Sequence, residues 1–175
     1  MKKVHCQTCG SSFVRATNCE GGIERLLSLV NLFPFRCQLC TNRFRVFYSG
    51  ARHNTETSDR RQYTRLTASI EAQVLDSKQP SVTNRITDIS RITDISMDGC
   101  TLQTTGLQKG AFIELVLKPT VEDETIRIQK AMVCSVRPSS IGIRFLDVQL
   151  EHHRRLAQVI LGLLVGQDLD LPVNA

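Results

Sequence analysis

Tryptophan is absent from the 175 residues, and seven Phe and two Tyr bring the aromatic share to only 5%. Any core must therefore be filled with aliphatic side chains. Long apolar runs are missing too. A membrane-spanning helix needs about 18 consecutive apolar residues, and the nearest stretches, 26–35 and 156–165, are short and interrupted. A secretory leader is not legible either: Met1-Lys2-Lys3 is basic, but Val4-His5-Cys6-Gln7 follows where an apolar segment would stand. These absences predict a cytoplasmic chain with no membrane span, whose cysteines are thiols or metal ligands rather than disulfides. No Ser-His-Asp, His-Glu or paired-carboxylate arrangement is present, so the expectation is a protein without catalytic activity.

The length allows one ordinary domain and one small one, not two full cores. Apolar residues make up 41%, as in folded globular proteins. The net charge of +5 is unevenly placed: residues 1–48 hold seven Lys/Arg against two Asp/Glu, and residues 66–175 hold eleven against thirteen. The bland explanation is a solvated basic face. The sharper one is a surface for nucleic acid or an acidic partner.

Composition divides the chain into residues 1–48, which carry five of the seven cysteines, a linker at 49–60, a strand-rich region at 61–165 and a tail at 166–175. Strands are expected near 66–75, 101–104, 112–117, 125–136 and 141–145, separated by turn residues such as Gly110 and Pro138-Ser139-Ser140. Several short strands of this kind suggest an antiparallel barrel or sandwich. Leu156, Val159, Ile160, Leu163 and Leu164 form one apolar stripe of a helix, opened by Asp147 or Gln149, closed by Gly166 and laid over the barrel. One hexapeptide is duplicated in tandem: Arg85-Ile86-Thr87-Asp88-Ile89-Ser90, then Arg91-Ile92-Thr93-Asp94-Ile95-Ser96. Six is even, so a strand slipped by one repeat keeps the same side chains on the same face, and two registers are permitted.

Cys6-Gln7-Thr8-Cys9 and Cys37-Gln38-Leu39-Cys40 are two Cys-x-x-Cys pairs. Each pair can turn a tight knuckle with both sulfurs on one ion, and four thiolates suit tetrahedral zinc. Gly10 fits the turn after the first pair, and Thr41-Asn42 stands at the matching place after the second, where Asn is expected to take the left-handed conformation. His5 and Cys19 have no partner at knuckle spacing. Four thiolates leave no open position for water, so the zinc would be structural. A short helix is expected at 22–32, stopped by Pro34, followed by a hairpin of Phe35-Arg36 and 43–48. Residues 4–48 resemble bacterial zinc ribbons of the Cys-x-x-Cys-Gly … Pro-Phe-Arg-Cys-x-x-Cys type. Arg36, Arg43 and Arg45 beside Phe35, Phe44 and Tyr48 offer a second use, tracking the phosphates and stacking the bases of a nucleic acid.

Arg60, Arg61 and Arg65 close the linker; guanidinium groups bind phosphate bidentately and stack on flat bases. Asp94-Ile95-Ser96-Met97-Asp98-Gly99 places a carboxylate, a hydroxyl and a glycine at turn spacing. That pattern suits either a ligand-facing loop, with Gly99 at positive φ, or a hairpin braced by a Ser or Asx bond. Together Arg61-x-x-x-Arg65 and Asp94-x-Ser96-x-x-Gly99 resemble the PilZ family, as do Gly110 before a strand, the 141–147 strand and the last helix. The resemblance implies a mainly β fold: a six-stranded antiparallel β-barrel with a C-terminal α-helix, here preceded by a small zinc ribbon with a short helix. It implies a cyclic di-GMP receptor in which Arg61 and Arg65 hold phosphate and guanine, Asp94, Ser96 and Gly99 line the other side, and Arg60 assists. The ribbon would then engage a protein partner. Two alternatives stay open, a nucleic-acid regulator and an adaptor that no longer binds ligand. In the first repeat copy Thr93 stands where the glycine is needed, so Asp88 and Ser90 are expected not to be ligands.

Overall fold

The computed structural model describes residues 4–47, 62–76, 86–119 and 124–169, with 86–89 and 167–169 described by their backbone alone. Arg60, Arg61 and Tyr48 lie outside the described residues. The chain forms two compact units, Met1–Thr64 and Arg65–Ala175.

The first unit is a three-stranded antiparallel sheet with one helix. Its elements are β1 (Val14–Ala16), α1 (Gly22–Leu29), β2 (Leu32–Cys37) and β3 (Arg43–Phe47), with β2 in the middle. The predicted hairpin is β2–β3, with Phe35 opposite Phe44 and Arg36 opposite Arg43. Phe35, Phe44, Cys6 and Cys37 are the buried centre, and the two rings stack with centroids 6.3 Å apart. The expected helix end was wrong. α1 stops at Leu29, Asn31 turns the chain at φ 60°, and Pro34 lies inside β2 opposite Arg45. Proline tolerates this place because β1 reaches no further than Ala16 opposite Phe35, and the Pro34 carbonyl still accepts a bond from the Thr17 N–H at 3.0 Å.

The second unit is a closed barrel of β4 (Leu66–Asp76), β5 (Ile86–Ser96), β6 (Gly99–Gln103), β7 (Phe112–Lys118), β8 (Ile126–Val136) and β9 (Ile141–Asp147), followed by α2 (Leu150–Leu169). The order around it is β4-β5-β6-β9-β8-β7, every pair is antiparallel, and β7 closes on β4. Alternation does the work: Ile113, Leu115 and Leu117 on β7, and Ile141 and Ile143 on β9, point inward while their neighbours face out. The interior is aliphatic, with Leu66, Ile92, Ile95, Leu102, Leu115, Ile128 and Val133 almost fully enclosed. Gly110 adopts φ 85° before β7, where its N–H bonds the Val133 carbonyl at 2.8 Å.

The α2 stripe covers the barrel against β4 and β8, with Leu156 and Ile160 fully buried. Of the two possible starts, Gln149 opens the helix, its carbonyl accepting the His153 N–H at 2.8 Å, while Asp147 ends β9. Gly166 does not end α2, which continues to Leu169. Among the described residues no helix is long and apolar enough to cross a membrane.

Candidate functional site

Two clusters carry the chemistry, one in each unit. In the first, Cys6 and Cys9 flank the turn before β1, Cys37 ends β2, and Cys40 sits in the turn before β3. Their four sulfurs lie within 4.8 Å of one another. Cys6 Sγ is 3.5 Å from Cys40 Sγ, and Cys9 Sγ is 3.6 Å from Cys37 Sγ. Tetrahedral zinc with bonds of about 2.3 Å holds its sulfurs about 3.8 Å apart, so the donors fit that ion, whereas a disulfide needs about 2.05 Å.

Each knuckle is closed by backbone. The Gly10 N–H bonds the Cys6 carbonyl at 2.9 Å with Gly10 at φ 72°, and the Leu39 N–H points at Cys37 Sγ at 3.4 Å. In the second knuckle Thr41, not Asn42, takes the left-handed conformation, at φ 62°. Asn42 instead donates from its side chain to Thr8 Oγ1 at 2.8 Å, tying the two knuckles together.

The thiols are electrostatically unequal. Burial pushes the Cys6 thiol up, but the backbone N–H groups of Cys9 and Thr8 and the neighbouring thiols outweigh it and hold Cys6 at about 7. Burial, reinforced by the three surrounding sulfurs, pushes Cys40 up to about 12. Burial also raises Cys37. A metal arriving here meets a ready thiolate at Cys6 and must displace the protons of Cys37 and Cys40.

In the same unit, Glu24 of α1 is buried and bonded to β3. Its carboxylate accepts from the Glu20 N–H at 2.6 Å, from Arg43 Nη2 at 2.6 Å and from Arg45 Nη2 at 3.0 Å. Arg36 donates to the Thr41 carbonyl at 3.1 Å and to the Tyr63 hydroxyl at 3.2 Å, and it lies over the Tyr63 ring. Arg36 and Arg43 are thus engaged inside the module, Arg45 bonds Glu24 while its side chain stays 50% exposed, and Phe35 and Phe44 are core rather than stacking platforms. Residues 62–64 are fastened to the same unit: the Thr64 N–H donates to Gln38 Oε1 at 2.7 Å, and Gln38 Nε2 reaches the Gln62 carbonyl at 3.4 Å.

The second cluster sits where the start of β4 meets the β5–β6 hairpin. Arg65 Nη1 donates to Asp94 Oδ1 and to Thr101 Oγ1, both at 2.9 Å. The Arg65 and Asp94 side chains are 31% and 30% exposed, so the pair reaches solvent. Thr101 stands directly opposite Asp94 in the ladder. The sequence reading missed it, although counting back from a two-residue Met97-Asp98 turn would have found it.

Ser96 and Gly99 are closer to the bland reading. The Ser96 hydroxyl is buried and donates within the hairpin, to Asp98 Oδ1 at 2.6 Å, and it lies 3.1 Å from the Gly99 carbonyl oxygen. Gly99 is not among the glycines at positive φ. It is needed because β9 presses on it: a Cβ there would stand 2.2 Å from the Ile143 carbonyl oxygen. Close approach, not backbone handedness, selects glycine. Asp98, also missed, anchors the turn through its carbonyl to the Phe145 N–H at 2.9 Å.

Of the remaining residues, Cys100 is wholly enclosed, and burial drives its thiol far above the ordinary range. His152 and His153 are half-buried, and burial lowers the His153 imidazole below its usual value.

The family model described as PilZ domain matches residues 59–162. No curated protein sequence matches the chain. Among solved structures, the chain is similar to the inhibitor of motility MotI/DgrA of Bacillus subtilis, at 14% identity over 80% of this chain and 66% of that one, with a TM-score of 0.51. It is also similar to YcgR from Escherichia coli in complex with c-di-GMP, at 16% identity over 89% of this chain and 75% of that one, with a TM-score of 0.50. At such identities the likeness concerns the fold.

Proposed function

This chain belongs to the PilZ domain family, and from that premise we propose that it is a non-enzymatic receptor for cyclic di-GMP, acting in the cytoplasm and coupled to a protein partner through a zinc-bound N-terminal module. The observation that carries the reading is Arg65, held on Asp94 and Thr101 at a half-exposed corner of the barrel. Both bonds leave from Nη1, so the other guanidinium nitrogens are the ones a phosphate would engage. Asp94 is the acceptor for a guanine edge. Arg61, with Arg60 assisting, would close on the ligand from the chain before β4, and Ser96 and Gly99 would shape the hairpin beneath it. Cys6, Cys9, Cys37 and Cys40 would hold structural zinc. The route between the modules is short in sequence: Thr64, bonded to Gln38, immediately precedes Arg65.

The second reading, an adaptor without ligand, draws on Ser96, whose hydroxyl is already spent inside its own turn. Titration calorimetry separates the two. The receptor reading expects wild-type protein to bind cyclic di-GMP at micromolar concentration or tighter, with Arg61→Ala and Arg65→Ala each at least tenfold weaker. Absence of heat from the folded, zinc-loaded wild type would leave the adaptor.

A further inference from the structure

The tandem hexapeptide lies entirely within or beside one barrel strand. β5 runs Ile86–Ser96, so it holds the second copy whole and the first from its second residue onward. The two copies are held differently. Residues of both copies pair with β4, from Leu66 opposite Ile95 to Leu75 opposite Ile86. β6 pairs with the second copy alone, Arg91 to Ser96. Ile92, Ile95 and Ser96 fill closed positions at 0%, 0% and 1% exposure.

Sliding β5 by six residues toward β6 would put Ile86, Ile89 and Ser90 into those same three positions, and Asp88 opposite Thr67 and Thr101. In an ordinary strand such a shift sets wrong side chains against the core. Here every residue that enters positions 91–96 is identical to the one it replaces, while positions 86–90 would receive the unlike residues Pro80-Ser81-Val82-Thr83-Asn84. The ladder is irregular in both copies, with register shifts between Gln73 and Val74 and between Thr67 and Ile70, so it offers places where sliding can begin.

We infer that β5 has a second, less populated register, displaced by one repeat, and that this register is an inactive form of the barrel. Its costs are definite. The present partners of β4 residues 72–75, which are Ser90, Ile89, Thr87 and Ile86, move away, although β7 continues to hold that end of β4 from Glu71 to Asp76. The two-residue turn becomes an eight-residue loop, a loop-closure cost of roughly tenfold in the equilibrium. Buried Met97 and the Asp98 bond to Phe145 are given up as well. The compact register therefore dominates. In the slipped one, Arg65 meets Asp88 instead of Asp94, and Asp94 and Ser96 leave the barrel with the loop, separated from Gly99. The slip itself does not depend on the ligand. Its regulatory consequence rests on the receptor reading above, because a ligand that needs Asp94 and Gly99 together binds one register only and withdraws the other from the equilibrium.

Cysteine trapping tests this in the full-length, zinc-loaded protein. Thr67 is the Cα partner of Asp94, so T67C/D94C reports the compact register. T67C/D88C reports the slipped one, since six residues of strand, about 20 Å, lie between positions 88 and 94 in the compact form, far beyond disulfide reach of roughly 7 Å. Disulfides are mapped by peptide mass spectrometry, and labelling of buried Cys100 clocks opening of the whole barrel. The slip requires a 67–88 disulfide that accumulates more slowly than 67–94 but faster than Cys100 reacts. A 67–94 disulfide with no 67–88 product, or a 67–88 rate equal to that of Cys100 labelling, overturns it. Saturating cyclic di-GMP should slow the 67–88 product at least tenfold. If it forms at an unchanged rate with ligand present, the slip stands and the receptor reading fails.

Discussion

At the scale of single residues, Gly99 and Glu24 are each fixed by one contact set. A Cβ at position 99 meets backbone, the Ile143 carbonyl, and backbone cannot swing aside as a side chain can. Gly99→Ala is expected to cost about 1–3 kcal/mol from overpacking, read as a lowered midpoint in thermal or urea unfolding of the barrel. Glu24 works through charge. The Glu20 N–H, then Arg45 and Arg43, hold its carboxyl below the usual glutamate range against the opposing effect of burial. A depressed folded value means that its contribution is complete at neutral pH and is lost as pH falls through the ordinary glutamate range toward that lower value. Glu24→Gln should cost about 1.5–3 kcal/mol at pH 7 and flatten the acid limb of the pH–stability curve of the first unit. The motif letters at 94–99 were readable in the sequence, but the reason for the glycine was not, because the pressing carbonyl belongs to a strand more than forty residues away.

At the scale of elements, strand alternation and the α2 stripe predicted five of the six barrel strands and the long helix closely, since each needs only a local period of 2 or 3.6; β5, the strand over the duplicated hexapeptide, was not among them. Leu156→Ala should cost about 2–5 kcal/mol by opening a cavity between α2, β4 and β8, measurable by denaturant titration with the slope unchanged. α1 was harder to read because it is turned the other way. It buries Glu24 and leaves Ile23, Leu26 and Leu29 exposed, so the face that packs is not the apolar one. β1 went unpredicted, being three residues long and specified by its partner β2 rather than by its own pattern. Pro34 misled for a related reason: proline ends a helix reliably, but the helix had already ended at Leu29.

At the scale of the molecule, the two units draw their stability from different sources. The barrel closes on itself around an aliphatic interior, whereas the first unit has a small buried centre and four converging sulfurs. Chelation should therefore unfold residues 4–47 while the barrel keeps its amide protection, seen by hydrogen exchange resolved along the chain. Zinc affinity should fall steeply as pH drops below the Cys6 value of about 7, because Cys6 must then lose a proton to bind, as the raised Cys37 and Cys40 thiols already must; a competing zinc dye would report it. The sequence by itself determined which residues can be strand, helix and knuckle, and it placed the four cysteines and the Asp94–Gly99 turn, since these depend on residue type and short spacing. Tertiary structure alone decided which charges are spent internally. Arg36 and Arg43 looked free for a polyanion until Glu24, Thr41 and Tyr63 were brought against them, and Arg65 gained Thr101 only when β6 folded back beside β5. Charge and hydrogen-bonding capacity are written in the sequence, but the partner that satisfies them is chosen by contacts between residues far apart along the chain.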